Sequence, residues 1–246
     1  MTETPKPTRP ALDEWHLSVV EAFDVAPHLR RVVFTAETLD QLDYRPGQAL
    51  ILRMPLPGGE TGRRDYTIRW FDREAKRLAI DFVLHGTTPA PSWAKAVRPG
   101  DTLLAQGPRG RSVVAAGADW HLFCVDETGL PAMLHMLETM PAGSVVHALI
   151  ETASAQDEIA IETAATLNCR WLARDGMAPG PNTLVLDALR ALALPTGRGQ
   201  AYLMGETSNV RSWRHHLVQA GLAKASIASE GYWRPGRIGG HDHVDD

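Results

Sequence analysis

Cysteine is nearly missing from this chain: Cys124 and Cys169 are the two among 246 residues. They stand far apart, each in an apolar stretch, so neither a disulfide framework nor the ligand spacing of a zinc or iron–sulfur site is available. The expectation is a pair of buried, unreactive thiols in a cytoplasmic protein. Long apolar runs are lacking too. No stretch approaches the length of a membrane span, and Met1 is not followed by a charged segment and an apolar run, so no membrane association is expected. Nor is there an excess of positive charge. Lys and Arg number 25 against 29 Asp and Glu, a net charge of −4, which argues against nucleic acid as the main partner. Internal repeats and low-complexity tracts are absent.

What is present suffices for one large domain or two modest ones: 44% of residues are hydrophobic,. The first hundred residues read as short strands separated by Pro and Gly turns, over Leu17–Phe23, Leu29–Thr35, Ala49–Arg53, Tyr66–Trp70, Leu78–Leu84 and Thr102–Gln106. Such spacing predicts an antiparallel β-barrel. One interruption, Ala90–Val97, reads as a helix with Pro89 and Pro91 at its start. From about residue 115 the rhythm changes to strand–helix alternation. Strands are expected at Leu122–Val125, Ser144–Ile150, Cys169–Leu172 and Ala201–Met204. Helices are expected at Pro131–Met140, Thr183–Leu194 and Ser208–Ala220, the last with Ser208 as N-cap and Gly221 as its stop. This pattern predicts an α/β parallel sheet flanked by helices. The expected division is a loose tail over 1–12, a β-barrel domain over 13–112, an α/β domain over 118–237 and a C-terminal tail over 238–246. The boundary falls in Gly110–Gly117. His241-Asp242-His243 has the residue types of a metal site but no scaffold, and reads as polar tail with no metal.

The most informative stretch is Arg63-Arg64-Asp65-Tyr66-Thr67-Ile68-Arg69. As a strand it puts Arg64 and Tyr66 on one face and Thr67 and Arg69 on the other. A cation, a flat ring and a hydroxyl in so few residues suit a large, flat, anionic ligand. A flavin dinucleotide meets that description: Arg grips pyrophosphate, Tyr stacks on the ring and Thr bonds its polar edge. The alternative is an amphipathic strand with solvated arginines. Ser92, near the start of the Ala90–Val97 helix, either faces a phosphate or caps the helix. Asp126-Glu127-Thr128-Gly129-Leu130-Pro131 occupies the strand-to-helix turn where a nucleotide loop is expected. It holds one glycine where such loops are glycine-rich, and its two acids would repel a pyrophosphate unless they turn away. Glu151 is placed to meet a ribose hydroxyl; Arg170 and Arg174 are placed to meet a 2′-phosphate instead. Tyr232, Trp233, Arg234 and Arg237 form an aromatic–cationic cluster, either a terminal strand or an anion-binding surface, to which Arg109 and Arg111 add charge.

These segments, in this order, resemble the siderophore-interacting protein family, a branch of the ferredoxin–NADP reductase-like flavoproteins. The resemblance rests on Arg64-x-Tyr66-Thr67-x-Arg69, on Asp81 to Gly86 with Ala90 to Ala94, on Asp126 to Pro131, and on Gly205-Glu206-Thr207 with Gly231 to Arg237. It spans residues 15 to 237. It implies an FAD-binding barrel followed by an NAD(P)H-binding-like α/β domain. FAD contacts are implied for Arg64, Tyr66, Thr67, Arg69, Val83, Leu84, His85, Ala90, Ser92 and Trp93. Nucleotide contacts are implied for Asp126, Glu127, Thr128, Gly205 and Glu206, and substrate contacts for Tyr232, Trp233, Arg234 and Arg237. No side chain is assigned as acid, base or nucleophile, because the cofactor carries the chemistry. The implied activity is reduction of a ferric siderophore by a monomeric cytoplasmic enzyme, with NADH, NADPH or reduced ferredoxin as donor. Two rivals remain: a general NAD(P)H–flavin or ferredoxin reductase, and a non-enzymatic siderophore carrier.

Overall fold

The structure is a computed structural model and describes residues 12–84, 86, 88–239 and 242–244. His85 and His241 lie outside the described residues. The first sheet is built from β1 (Glu14–Ala26), β2 (Leu29–Thr35), β3 (Ala49–Pro55), β4 (Thr61–Thr67), β5 (Trp70–Asp72), β6 (Arg77–Val83) and β7 (Thr102–Arg109), with helix α1 (Pro89–Ala96) between β6 and β7. All its pairings are antiparallel, in the order β4-β3-β7-β1-β2-β6-β5. The expected strand Tyr66–Trp70 is in fact two, and the break is what rolls the sheet up. Ile68 N–H donates to Gln48 O, beside β3, and the next N–H, of Arg69, donates to Ala79 O in β6. Two residues thus carry the chain from one edge of the sheet to the other, which only a barrel-like curl allows. The period-two pairs Leu17/Val19, Leu50/Leu52 and Ile80/Phe82 fill its interior, with Ala90, Ala94 and Val97 of the α1 region packed against them,.

The second sheet contains β8 (Trp120–Val125), β9 (Val145–Thr152), β10 (Thr166–Ala173), β11 (Gly199–Glu206), β12 (Ile227–Trp233) and β13 (Asp242–His243). Its order is β10-β9-β8-β11-β12-β13, parallel except for the last pairing. Helix α2 (Leu130–Glu138) covers one face, packing Met133, Met136 and Leu137 on Phe123, Val125 and Met204. Helices α3 (Leu184–Arg190) and α4 (Thr207–Gln219) cover the other, on Leu122, Cys124 and Leu203. Strands buried on both faces read as unbroken apolar runs, and Trp120–Val125 is buried throughout. The barrel followed by an α/β sheet agrees with the expectation. Three details differ. Glu206, not Ser208, caps α4, accepting from Asn209 N–H at 2.9 Å. Asp242 and His243, read as tail, pair with Gly231 and Glu230, because β12 would otherwise be an unpaired edge and Val244 finds an apolar seat at 2% exposure. Cys124 is buried as expected, but Cys169 is half-buried. Burial pushes the Cys169 thiol up to about 11, so it stays protonated. No described helix is long and apolar enough to cross a membrane.

The two sheets are joined by partly buried polar contacts. Arg69 donates twice to Glu138 of α2, at 2.9 and 2.6 Å, with its Nε 3.8 Å from Asp81, which itself takes two bonds from Arg31. Tyr44 O–H donates to His135 Nε2 at 2.7 Å, and His135 Nδ1 lies 3.4 Å from Glu138. A second fastener runs from His28, in the β1–β2 turn, to Asp157, at 3.1 Å from the backbone N–H and 2.9 Å from the ring. Burial pushes the Tyr44 hydroxyl up to about 12, so it remains a donor.

Two predictions follow from this packing. Burial lowers the pKa of His135 despite Glu138, and burial lowers those of His121 and His147 as well. A histidine that binds its proton more weakly when folded contributes stability above its unfolded pKa, about 6.5, and loses it as pH falls through that value. The thermal midpoint should therefore drop from about pH 7 to about pH 5.5, and His135→Gln should flatten that slope; an unchanged slope removes His135 from the account. Separately, a side-chain carbon on Gly129 would sit 2.5 Å from Met204 O. Gly129→Ala should cost about 1–3 kcal/mol in urea unfolding, whatever its effect on ligands.

Candidate functional site

A cavity of about 350 Å³ opens where the two sheets meet. The barrel supplies Arg64–Thr67 from β4, Asp81 and Val83 from β6, Thr88, Ala90 and Pro91 at the start of α1, and Arg109–Ser112 from the end of β7 onward. The α/β half supplies Thr128 and Pro131 from the turn after β8, then Glu230 and Tyr232–Gly239 around the end of β12. Four successive residues of β4 line the cavity rather than alternate ones, because β4 ends its row of strands and presents its backbone edge. Tyr66 leans on Phe82 with ring centroids 4.4 Å apart. Burial holds the hydroxyls of Tyr66 and Tyr232 above the usual tyrosine range, so both remain protonated. Thr67 and Tyr232 line the cavity from opposite sheets, and the Thr67 side chain opposes part of the rise that burial gives the Tyr232 hydroxyl.

The cations divide into two groups. The Arg64 guanidinium donates to Arg63 O at 2.7 Å, its one hydrogen bond among the described residues, and is therefore available to an anion. Arg109 lies 3.6 Å from Asp65. Arg234 and Arg237 both meet Asp242, at 2.9 and 2.8 Å. Asp242 also takes a 3.2 Å bond from Thr207, and its carboxyl is held below the usual range by Arg237, Thr207 and Arg234, against the opposing effect of burial.

The turn after β8 resolves its own acids. Asp126 is buried and accepts four hydrogen bonds: from Thr128 N–H and O–H at 2.8 and 2.5 Å, from Glu206 N–H at 2.8 Å and from Trp233 Nε1–H at 2.8 Å. Glu127 binds both terminal nitrogens of Arg174, whose Nη1 also meets Glu151 at 2.9 Å. Asn182 gives Glu151 a further bond at 2.9 Å. Burial raises the Glu151 carboxyl even against Arg174 and Asn182. Glu151 and Arg174, the two candidates for reading a ribose, are thus buried against each other, while Arg170 is exposed on β10.

Of the residues expected to hold the cofactor, Arg64, Tyr66, Thr67, Val83 and Ala90 are brought together in the cavity wall. Arg69 is bound to Glu138 outside it. Leu84 and Trp93 pack into the barrel core, Trp93 stacked 6.3 Å from Phe34 and tilted against Phe82. Ser92 is exposed, and its N–H is taken by Thr88 O. Thr88 faces the cavity in its place, four residues earlier, at the N-cap position. The Thr-Pro step before the helix signals that position. Of the nucleotide residues Thr128 lines the cavity, whereas Asp126, Glu127, Gly205 and Glu206 form the framework behind it. Tyr232, Trp233, Arg234 and Arg237 all reach it. An available guanidinium, half-buried aromatics, an apolar wall and hydroxyls on one cavity fit a flat, anionic dinucleotide,.

Comparison with known proteins agrees with this geometry. Residues 118–236 match the siderophore-interacting protein family, and residues 54–112 match the siderophore-interacting FAD-binding domain. A siderophore utilization protein from T. fusca superposes with a TM-score of 0.88 at 32% identity, over 95% of this chain and 97% of that one. The ferric vibriobactin reductase ViuB of Vibrio cholerae is 30% identical over 87% of this chain and 86% of its own length. An NADPH-dependent ferric-chelate reductase of Escherichia coli is 30% identical over 69% of this chain and 65% of its own. The chain likewise spans 65% of the length of a Mycobacterium tuberculosis relative to which it is 31% identical. By these matches and by its fold, the chain belongs to the siderophore-interacting protein family.

Proposed function

We propose that this protein is an FAD-dependent reductase of ferric siderophores, acting as a monomer in the cytoplasm. The observation that carries the reading is the convergence of Arg64, Tyr66 and Thr67 of β4 with Tyr232 and Trp233 of β12 on one cavity. Arg64 grips the pyrophosphate, Tyr66 supports the ring and the start of α1 contributes backbone and hydroxyl around Thr88. FAD supplies the redox chemistry, since a flavin takes a hydride as an electron pair and releases electrons singly. The substrate is Fe(III) in a chelate of hard oxygen donors, which hold Fe(II) less tightly. The protein's residues bind and orient; none serves as acid or base. The donor is NADH, NADPH or reduced ferredoxin, and the name of the Escherichia coli relative favours NADPH. Because Glu151 and Arg174 are buried together, choice between NADH and NADPH falls to other groups near Thr128.

One observation favours a second reading. Arg234 and Arg237, expected to attract the anionic chelate, already share Asp242. A general NAD(P)H–flavin or ferredoxin reductase would need no such attraction. It would turn over with dyes or ferredoxin and leave ferric siderophores untouched.

Two outcomes are expected. Arg64→Ala combined with Tyr66→Ala should purify as colourless protein, read from the flavin band; full retention of FAD refutes the assigned strand. In the wild-type, FAD-loaded protein, anaerobic NADPH should bleach that band and a ferric siderophore should restore it. Bleaching by NADPH with no reoxidation by the chelate selects the second reading.

A further inference from the structure

Ser112 stands in the segment that leaves β7 for the second sheet, and it lines the cavity. It is 3% exposed, and its hydroxyl has no hydrogen-bond partner among the described residues. A polar group buried in that condition is destabilising unless something bound beside it supplies the missing bond. The segment is held in place. Ala49 of β3 pairs with Arg109, and Gln48 Nε2–H donates to Gly110 O at 3.3 Å. Gly47, at φ +99°, passes so near that a side-chain carbon there would lie 2.0 Å from Ser112 O. Only glycine permits that approach and that backbone angle together. The hydroxyl is therefore held at the cavity wall by contacts to the segment's backbone that do not involve its own oxygen.

These contacts are with Ala49 at the start of β3 and with Gly47 and Gln48 just before it, all in the barrel that also carries Arg64 and Tyr66. We infer that Ser112 is an FAD-binding residue whose hydroxyl hydrogen-bonds a polar atom of the flavin nucleotide. The inference rests on the flavin reading above and adds to it a contact from the connecting segment. A nicotinamide nucleotide entering the same cavity offers similar polar edges, so the test separates the two.

Ser112→Ala removes the hydroxyl with little change of shape. Wild type and variant would be stripped of flavin and titrated with FAD, following quenching of flavin fluorescence, and the melting temperature of each apoprotein recorded. The expected result is FAD affinity weaker by about 3- to 10-fold, with the apoprotein melting at the same temperature or higher because an unpartnered buried group is gone. Unchanged FAD affinity with a lower apoprotein melting temperature makes Ser112 structural and overturns the inference. Unchanged FAD affinity, with NADPH binding to the FAD-loaded variant weakened, also overturns it and moves the hydroxyl to the nicotinamide nucleotide. Failure of the wild type itself to take up FAD refutes the flavin reading, and this inference with it. Normal uptake by the wild type with an identical constant for the variant refutes the inference alone.

Discussion

Four hydrogen bonds converge on one buried carboxylate, and the shape of the cavity depends on them. Asp126 ties its own turn through Thr128, the end of β11 through Glu206 N–H, and the end of β12 through Trp233. A carboxylate can accept about four bonds, so this one is saturated by three separate pieces of chain. Trp233 held at this point places Tyr232 against Thr67 of the barrel. The turn after β8, which has the position of a nucleotide loop, here works first as a joint between strands.

That role explains a loop with one glycine and two acids. Glycine-rich loops let a backbone close upon phosphate. Here the close approach is between the loop and the neighbouring strand, where Gly129 meets Met204. Glu127 and Glu151 share the one guanidinium of Arg174 in a buried cluster. Such a cluster is a poor source of net stability, because desolvation offsets most of the attraction. Its consequence is geometric: it keeps two negative charges turned away from the cavity.

Periodicity made the architecture legible. The alternation in Leu17/Val19 and Ile80/Phe82, then the apolar run Leu122–Val125, distinguish a barrel from a doubly covered parallel sheet without any long-range information. The candidate site was legible where residues act through their own strand, as Arg64, Tyr66 and Thr67 do. It was not legible where a side chain is claimed by a distant partner. Arg69 belongs to a flavin-like motif, yet Glu138 on another element binds it. Arg174 and Glu151 each looked suited to a ribose, but they are opposite charges that burial brings together. Ser92 and Thr88 are separated by one helical turn, and the prolines between them obscure which faces inward. Asp242 was unreadable because two residues of β-structure at a chain end leave almost no pattern.

Thr67 and Tyr232 line the same cavity from opposite sheets, and neither sheet encloses the space alone. Whatever occupies it is gripped from both sides. By mass action such a molecule favours the docked arrangement over every opened one, to an extent set by its concentration relative to its dissociation constant. It becomes part of the protein's cohesion: a rivet as much as a passenger, and the two halves would share a common fate in unfolding when it is present.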